Sequence, residues 1–167
     1  RELMVATPRT KEDLKSALPD TSKTLRLKGL DATVEIFRDR LGIPHVSAQT
    51  INDAFFGQGF AAAQDRLWHM DYDRRRAYGR WAEYAGKGSF QHDVTKRRFK
   101  ILDSVKTDYL TVNDETRNML EAYTAGVNAF IHSTDTYPIE YLLLQAEPEP
   151  WEPWDCLAVF KVRHILM

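Results

Sequence analysis

Cysteine occurs once in the 167 residues, at Cys156, so no intrachain disulfide can form and cysteine usage does not report a redox compartment. Cys156 lies in an apolar helical stretch, where a small core residue is the expected role and a nucleophile would need an activating neighbour. No apolar run approaches the roughly 18 residues of a membrane span, and no signal-peptide pattern is present. A net charge of −1 lacks the basic excess that releases counterions from nucleic acid or meets anionic lipid, so neither nucleic acid nor membrane is an expected partner. Also missing are a Gly-x-Ser-x-Gly elbow, a phosphate-cradling glycine loop and a pair of histidines at zinc spacing. There is no internal repeat, low-complexity region or interdomain linker. What remains, 43% hydrophobic and 28% charged residues, is an ordinary globular composition sufficient for one core.

The most restrictive stretch runs from Gly57 to Gly86, GQGFAAAQDRLWHMDYDRRRAYGRWAEYAG. Thr50 with Asp53 has the form of a capping box and Gly86 with Gly88 that of a stop, which predicts one long helix between them. Gly57, Gly59, Ala61, Ala62 and Ala63 give up side-chain volume. Since each glycine costs a helix about 1 kcal/mol, they imply another backbone packed closely against this face. Gln64, Asp65 and Arg66 follow at once and are expected to anchor neighbouring segments, because an unmet buried polar group costs about 1–3 kcal/mol. Arg74-Arg75-Arg76 and Lys96-Arg97-Arg98 have Asp71, Asp73 and Asp93 within helical reach and read as solvated or salt-bridged faces. His69 and Asp73 share a face without an evident third metal ligand. Asp71 and Asp73 face different ways, so paired-carboxylate catalysis is not expected from them.

Residues 1–22 are polar and read as an N-terminal arm, with helical periodicity only over Lys11 to Leu18; residues 23–167 then form one domain. Leu25 and Leu27, then Val34 and Ile36, alternate with polar residues and predict short strands. Gly42-Ile43-Pro44 turns the chain into the next strand, His45-Val46-Ser47. His45 reads as a hydrogen-bonded structural residue, since no nucleophile accompanies it. Val94, Phe99, Ile101, Leu102 and Val105 predict a second helix, and Asn113 with Asp114 and Glu115 caps a third, striped by Met119, Leu120, Tyr123, Val127, Phe130 and Ile131. Gly126 within that stripe again implies close backbone contact. A short helix over Ile139 to Gln145 precedes an extended strap through Pro148, Pro150 and Pro153, pinned by Trp151 and Trp154, with Pro153 opening the last helix.

The string Ala63-Gln64-Asp65-Arg66-Leu67-Trp68-x-Met70, followed by Gly79-Arg80-x-Ala82-Glu83-x-x-Gly86, resembles the penicillin acylase family of N-terminal-nucleophile hydrolases. Four further pieces agree in order: Arg38-Asp39-x-x-Gly42-Ile43-Pro44-His45-Val46-x-Ala48, Leu120-x-Ala122-Tyr123-x-x-Gly126-Val127-Asn128-Ala129-Phe130-Ile131, Pro138-x-Glu140-Tyr141, and Glu147-Pro148-Glu149-Pro150-Trp151-x-Pro153. The resemblance spans Val34 to Lys161 and concerns the small, or alpha, subunit. It implies an α+β chain, mainly helical with a few N-terminal strands, that completes an αββα sandwich with a large (beta) subunit cut from the same precursor. By the same resemblance the nucleophile, usually serine, opens the large subunit and uses its own α-amine as base, so no catalytic residue is expected here. No cofactor is required, any structural calcium is held by the partner chain, and a periplasmic or secreted location is implied. Arg38, Asp39, Asp65 and Arg66 become structural motif residues whose charges are paired.

The final stretch, Cys156 to Met167, is apolar nearly all round and has no stop signal, which fits either precursor cleavage or continuation of the sequence. Likewise, the start at Arg1 fits removal of a leader or a shortened sequence. In phenylacetyl-cleaving relatives the final helix lines the acyl pocket, which makes Phe160, Arg163, His164 and Met167 the candidate substrate-binding residues by resemblance. Leu157, Phe160, His164 and Met167 share a helix face. With Lys161 and Arg163, His164 makes three potential cations on a helix expected to be buried, for which a substrate carboxylate is one partner. The expectation is therefore an N-succinyl or other acidic N-acyl amino acid; an aromatic acyl group, or a His164 that touches only the large subunit, stay open. The non-enzyme alternative is a helical interaction module.

Overall fold

A computed structural model of the chain describes residues 10–166. The elements run α1 (Lys11–Ser16), β1 (Glu35–Arg38), β2 (Pro44–Ser47), α2 (Ile51–Ala77), α3 (Ala82–Ala85), α4 (Phe90–Arg98), α5 (Ile101–Thr111), α6 (Asp114–Ser133), α7 (Ile139–Leu144) and α8 (Asp155–Leu166). The α+β class holds: a helical body carries one antiparallel hairpin, in which Ile36 stands opposite Val46.

Helix α2 is the axis of the fold. Thr50 Oγ1 accepts the Asp53 N–H at 3.0 Å, as the cap predicts. The Asp53 carboxylate does not complete a capping box; it is buried and accepts the N–H groups of Asp31 and Ala32, tying the preceding loop to the helix start. The small residues do mark a close crossing. A methyl added at Gly59 would stand 2.0 Å from Tyr123 O, and one at Gly126 1.9 Å from Phe56 O, so α2 and α6 touch backbone to backbone. Phe60, Ala63, Leu67, Val127, Phe130, Ile131, Tyr141 and Trp151 close the core around that contact.

Four sequence expectations are corrected. The long helix ends at Ala77, not at Gly86: Gly79 (φ 63°) takes the left-handed conformation, Gly79 N–H donates to Arg76 O, and Arg80 N–H donates to Arg75 O, a Schellman stop. The segment around Leu25 and Leu27 is not a strand: it pairs with neither β1 nor β2, and Leu27 packs on the core instead. The single helix expected over 94–105 is two, α4 and α5, broken where Lys100 adopts φ 51°. Pro153 lies in the turn before α8, whose first helical residue is Asp155; Asp155 Oδ2 accepts the Glu152 N–H at 2.9 Å and so secures the entry. By contrast, Asn113 caps α6 by accepting the Thr116 N–H, and α7 forms where expected. Of the N-terminal arm, residues 1–9 lie outside the described residues, and α1 forms within the Lys11 to Leu18 periodicity.

Candidate functional site

The C-terminal half of α2 carries a buried ionic cluster. Asp71 is 1% exposed and accepts from Arg74, from Arg75 and from the Tyr141 hydroxyl at 3.1 Å. Arg74 also reaches Asp155 at 3.0 Å and the carbonyls of Glu149 and Pro150, and its guanidinium lies over the Trp151 ring. Arg75 and Arg80 share Glu83 and Glu149. The hydrogen bond from Arg80 is the main reason the Glu149 carboxyl is held down to about 2. Burial pushes the Tyr141 hydroxyl well above its ordinary pKa, with the Asp71 charge adding to it. Arg74 and Arg75 are therefore not a solvated face: they bind the strap at residues 149–155 to α2. The signal was legible, since Asp71 sits three and four residues before them.

The second basic run behaves differently. Asp93 is buried, but it accepts the N–H groups of Trp81 and Ala82 and does not pair with Lys96 or Arg97. Arg97 donates to Gly79 O at 2.8 Å, which fixes α4 against the α2 stop.

The motif residues occupy the hairpin and the middle of α2. Asp39 Oδ1 accepts the N–H groups of Leu41 and Ile43 and shapes the hairpin turn. His45 stacks on Phe37 with ring centroids 4.8 Å apart, 3.3 Å from Asp39 Oδ2. Arg38 crosses to α2, meeting Asp65 at 2.6 Å and donating to Gln64 Oε1 at 2.8 Å and to Gly42 O. Arg66 departs from expectation. Helix α2 bends there, with Arg66 at φ −151° and ψ 34°, and its exposed side chain has no ion pair among the described residues. Asp65 belongs to Arg38 instead.

On α8, Phe160 is 62% exposed and the His164 ring lies against it at a tilt of 43°, ring centroids 4.2 Å apart, with Nδ1 2.9 Å from Phe160 O. Arg163 turns to α2, where it meets the buried Asp73 carboxylate at 2.5 Å and lies 3.2 Å from His69 Nε2. Lys161 meets Asp108 and Ser104 Oγ, each at 2.5 Å. Met167 lies outside the described residues. The three cations thus have partners within the chain, and the premise that a substrate carboxylate is needed to satisfy them falls. Of the four candidates, Phe160 and His164 come together on an exposed face, while Arg163 faces the other way.

That other way is a cleft of about 390 Å³ between α2, α6 and α8, lined by apolar side chains including Met70, Met119, Leu120 and Val159, with Arg66, His69 and Arg163 among the polar ones. Cys156 also lines it, its thiol pushed up to about 11 by burial, the state of an inert core thiol and not of a nucleophile. Among the described residues no three His, Cys, Asp or Glu side chains gather as a metal site, and no helix is long and apolar enough to cross a membrane.

Residues 33–166, from β1 through α8, match the family described as penicillin amidase. The chain belongs to the penicillin amidase family. The penicillin acylase 2 proenzyme of Pseudomonas sp. (strain SE83) is 44% identical over 165 residues, 99% of this chain but 21% of that protein. The acyl-homoserine lactone acylase QuiP of Pseudomonas aeruginosa is 34% identical over 86% of this chain and 17% of its own length. Penicillin G acylase of Escherichia coli is 33% identical over 76% of this chain and 16% of its own. The chain therefore spans about a fifth of the length of these curated relatives. Among solved structures, the thermostable penicillin G acylase from Alcaligenes faecalis superposes with a TM-score of 0.70 at 29% identity, over 77% of this chain and 70% of that one. The N-terminal arm, outside the family resemblance as read from motifs, falls largely within the alignment to the Pseudomonas proenzyme.

Proposed function

We propose that this penicillin amidase family chain is the small subunit of a two-chain amidohydrolase that cleaves linear amide bonds of N-acyl compounds. The observation that carries the reading is a contrast of lengths: the chain covers about a fifth of a proenzyme, yet 70% of a solved penicillin G acylase chain. That is the relation of a processed small subunit to its precursor. In this reading the nucleophile is the first residue of the large subunit, its α-amine takes the hydroxyl proton, and oxyanion donors on the same chain stabilise the tetrahedral intermediate. The small subunit supplies helical cover and one wall of the acyl pocket. The reaction needs no cofactor, and a structural calcium would take its ligands from the larger chain.

For the acyl group we infer an apolar, aromatic-compatible wall in place of an acidic pocket. Lys161 and Arg163 are engaged by Asp108 and Asp73, and the exposed α8 face presents Phe160 with the tilted His164 ring against it. The test is kcat/KM of the assembled enzyme for N-phenylacetyl and N-succinyl derivatives of one amino acid, in wild type and His164→Met. Preference for phenylacetyl is expected, changed little by the substitution. Succinyl preference that collapses in His164→Met would restore the acidic pocket.

A further inference from the structure

Helix α8 is seated on small residues and steered by charge. Its buried strip is Ala158 and Val162, both 0% exposed, packed with Ala77 of α2 and with Ile101 and Val105 of α5. An alanine and a valine offer neighbouring helices few ridges to lock against, so the strip fixes the depth of α8 better than its rotation about its own axis. Two ion pairs stand on opposite flanks of the strip, as a step of about 100° per helical residue places them. Lys161 meets Asp108 on α5, and Arg163 brings Nε and Nη2 to the same Oδ2 of Asp73 on α2, at 3.1 and 2.5 Å. Phe160 and His164 lie between those flanks on the face turned away from the strip, so their direction follows the roll that the two pairs set. The pairs are unequal. The Asp108 side chain is 44% exposed, whereas that of Asp73 is 7% exposed, and His69, 3.6 Å from Asp73, is charged only when protonated. Water screens the exposed pair more than the buried carboxylate, which makes Arg163 to Asp73 the stronger tie.

We propose that Asp73 is a positioning residue of the acyl site: through Arg163 it sets the roll of α8, and with it the wall that Phe160 and His164 present to the acyl group. The proposal rests on the reading of α8 as one wall of the acyl pocket. An apolar wall discriminates by shape, where one methylene is worth about 10–200-fold, so a small roll is read as a change of selectivity. Stability is affected less. Asp73→Ala removes the buried charge itself and leaves behind Arg163, whose side chain is 57% exposed and is met by water.

The assembled two-chain protein carrying Asp73→Ala is compared with wild type for kcat and KM on the N-phenylacetyl and N-hexanoyl derivatives of one amino acid. The ratio of the two kcat/KM values is expected to change at least about fivefold, through KM, with kcat per assembled complex within about twofold of wild type on both substrates. Asp73→Ala/Arg163→Met is expected to match Asp73→Ala, because Asp73 acts only through Arg163. A ratio equal to that of wild type, or a double variant that differs from Asp73→Ala, would overturn the proposal. Hydroxyl-radical footprinting of the same proteins follows the roll without turnover. With the Asp73 tie gone and Lys161 still held by Asp108, labelling of Val159, one turn before Arg163, should rise at least about twofold while that of the exposed Leu110 on α5 stays constant. Unchanged labelling of Val159 would overturn the proposal as well. If wild type hydrolyses neither amide while Val159 responds as expected, Asp73 still sets the roll of α8 and the failure belongs to the underlying functional reading.

Discussion

Gly126→Ala sets two known effects against each other, and the structure decides between them. Alanine favours a helix over glycine by about 1 kcal/mol, so at an exposed position the change would stabilise α6. Here the new methyl would lie 1.9 Å from Phe56 O and 2.9 Å from Phe60 N, against 3.4 Å for the shortest ordinary contact. The obstacle is backbone, which has no rotamer to yield. The helices must part by about 1.5 Å at the crossing, and a gap of even about 1 Å forfeits up to half of each dispersion contact along the interface. Phe60, Ala63, Val127 and Phe130 all sit on that interface. Overpacking of this kind costs about 1–3 kcal/mol and more where backbone cannot move, so a net loss of about 2 kcal/mol survives the propensity gain. The measurement is the urea midpoint of the assembled protein, expected to fall at unchanged slope. A midpoint equal to or above that of wild type would mean that α2 and α6 are not in backbone contact, and the account of the core would be wrong.

Asp71→Ala leaves Arg74, Arg75 and the Tyr141 hydroxyl without their shared acceptor and should destabilise by about 3–5 kcal/mol, read as loss of soluble assembled protein or a matching fall in denaturant midpoint. Asn128→Ala removes the two hydrogen bonds that pair its amide with the Trp151 backbone, so protease cleavage in the strap at 146–154 should rise, for a loss of about 1–3 kcal/mol; unchanged cleavage would mean the strap is held by Trp151 packing alone. Acid should loosen the same strap. The folded Glu149 pKa is depressed to about 2, so its contribution is complete above its unfolded value and is lost as pH falls from about 4.5 towards 2; Glu149→Gln should flatten the stability profile in that window.

Much of the architecture could be read from residue spacing because the determinants were local. Thr50 and Asn113 announce their helices with caps that a few neighbouring residues complete, and Gly59 and Gly126 are intelligible only as a close crossing. The misreadings arose where one residue had two available roles. Gly79 and Gly86 are both candidate stops, and the choice fell to Gly79 because Arg80 N–H reaches Arg75 O there. Asp93 was within helical reach of a basic run, but two free N–H groups at Trp81 and Ala82 took its carboxylate. On α8, three cations looked as though they awaited a ligand; the partners of Arg163 and Lys161, Asp73 and Asp108, lie 90 and 53 positions earlier in sequence, a pairing no local pattern could reveal, while His164 meets the Phe160 carbonyl four residues before it. Arg66 was expected to be paired as one of four charged motif residues; helix α2 bends at Arg66, whose side chain is exposed, while Asp65 pairs with Arg38.

The central claim is that this chain helps build an amidohydrolase whose nucleophile lies on another chain. It is tested most directly by treating the active two-chain protein with a serine-directed sulfonyl fluoride and mapping the label by peptide mass spectrometry. The account predicts stoichiometric label on the first residue of the larger chain, loss of activity in proportion, and none within residues 1–167. Label on a residue of this chain, or amide hydrolysis by this chain purified without its partner, would contradict it.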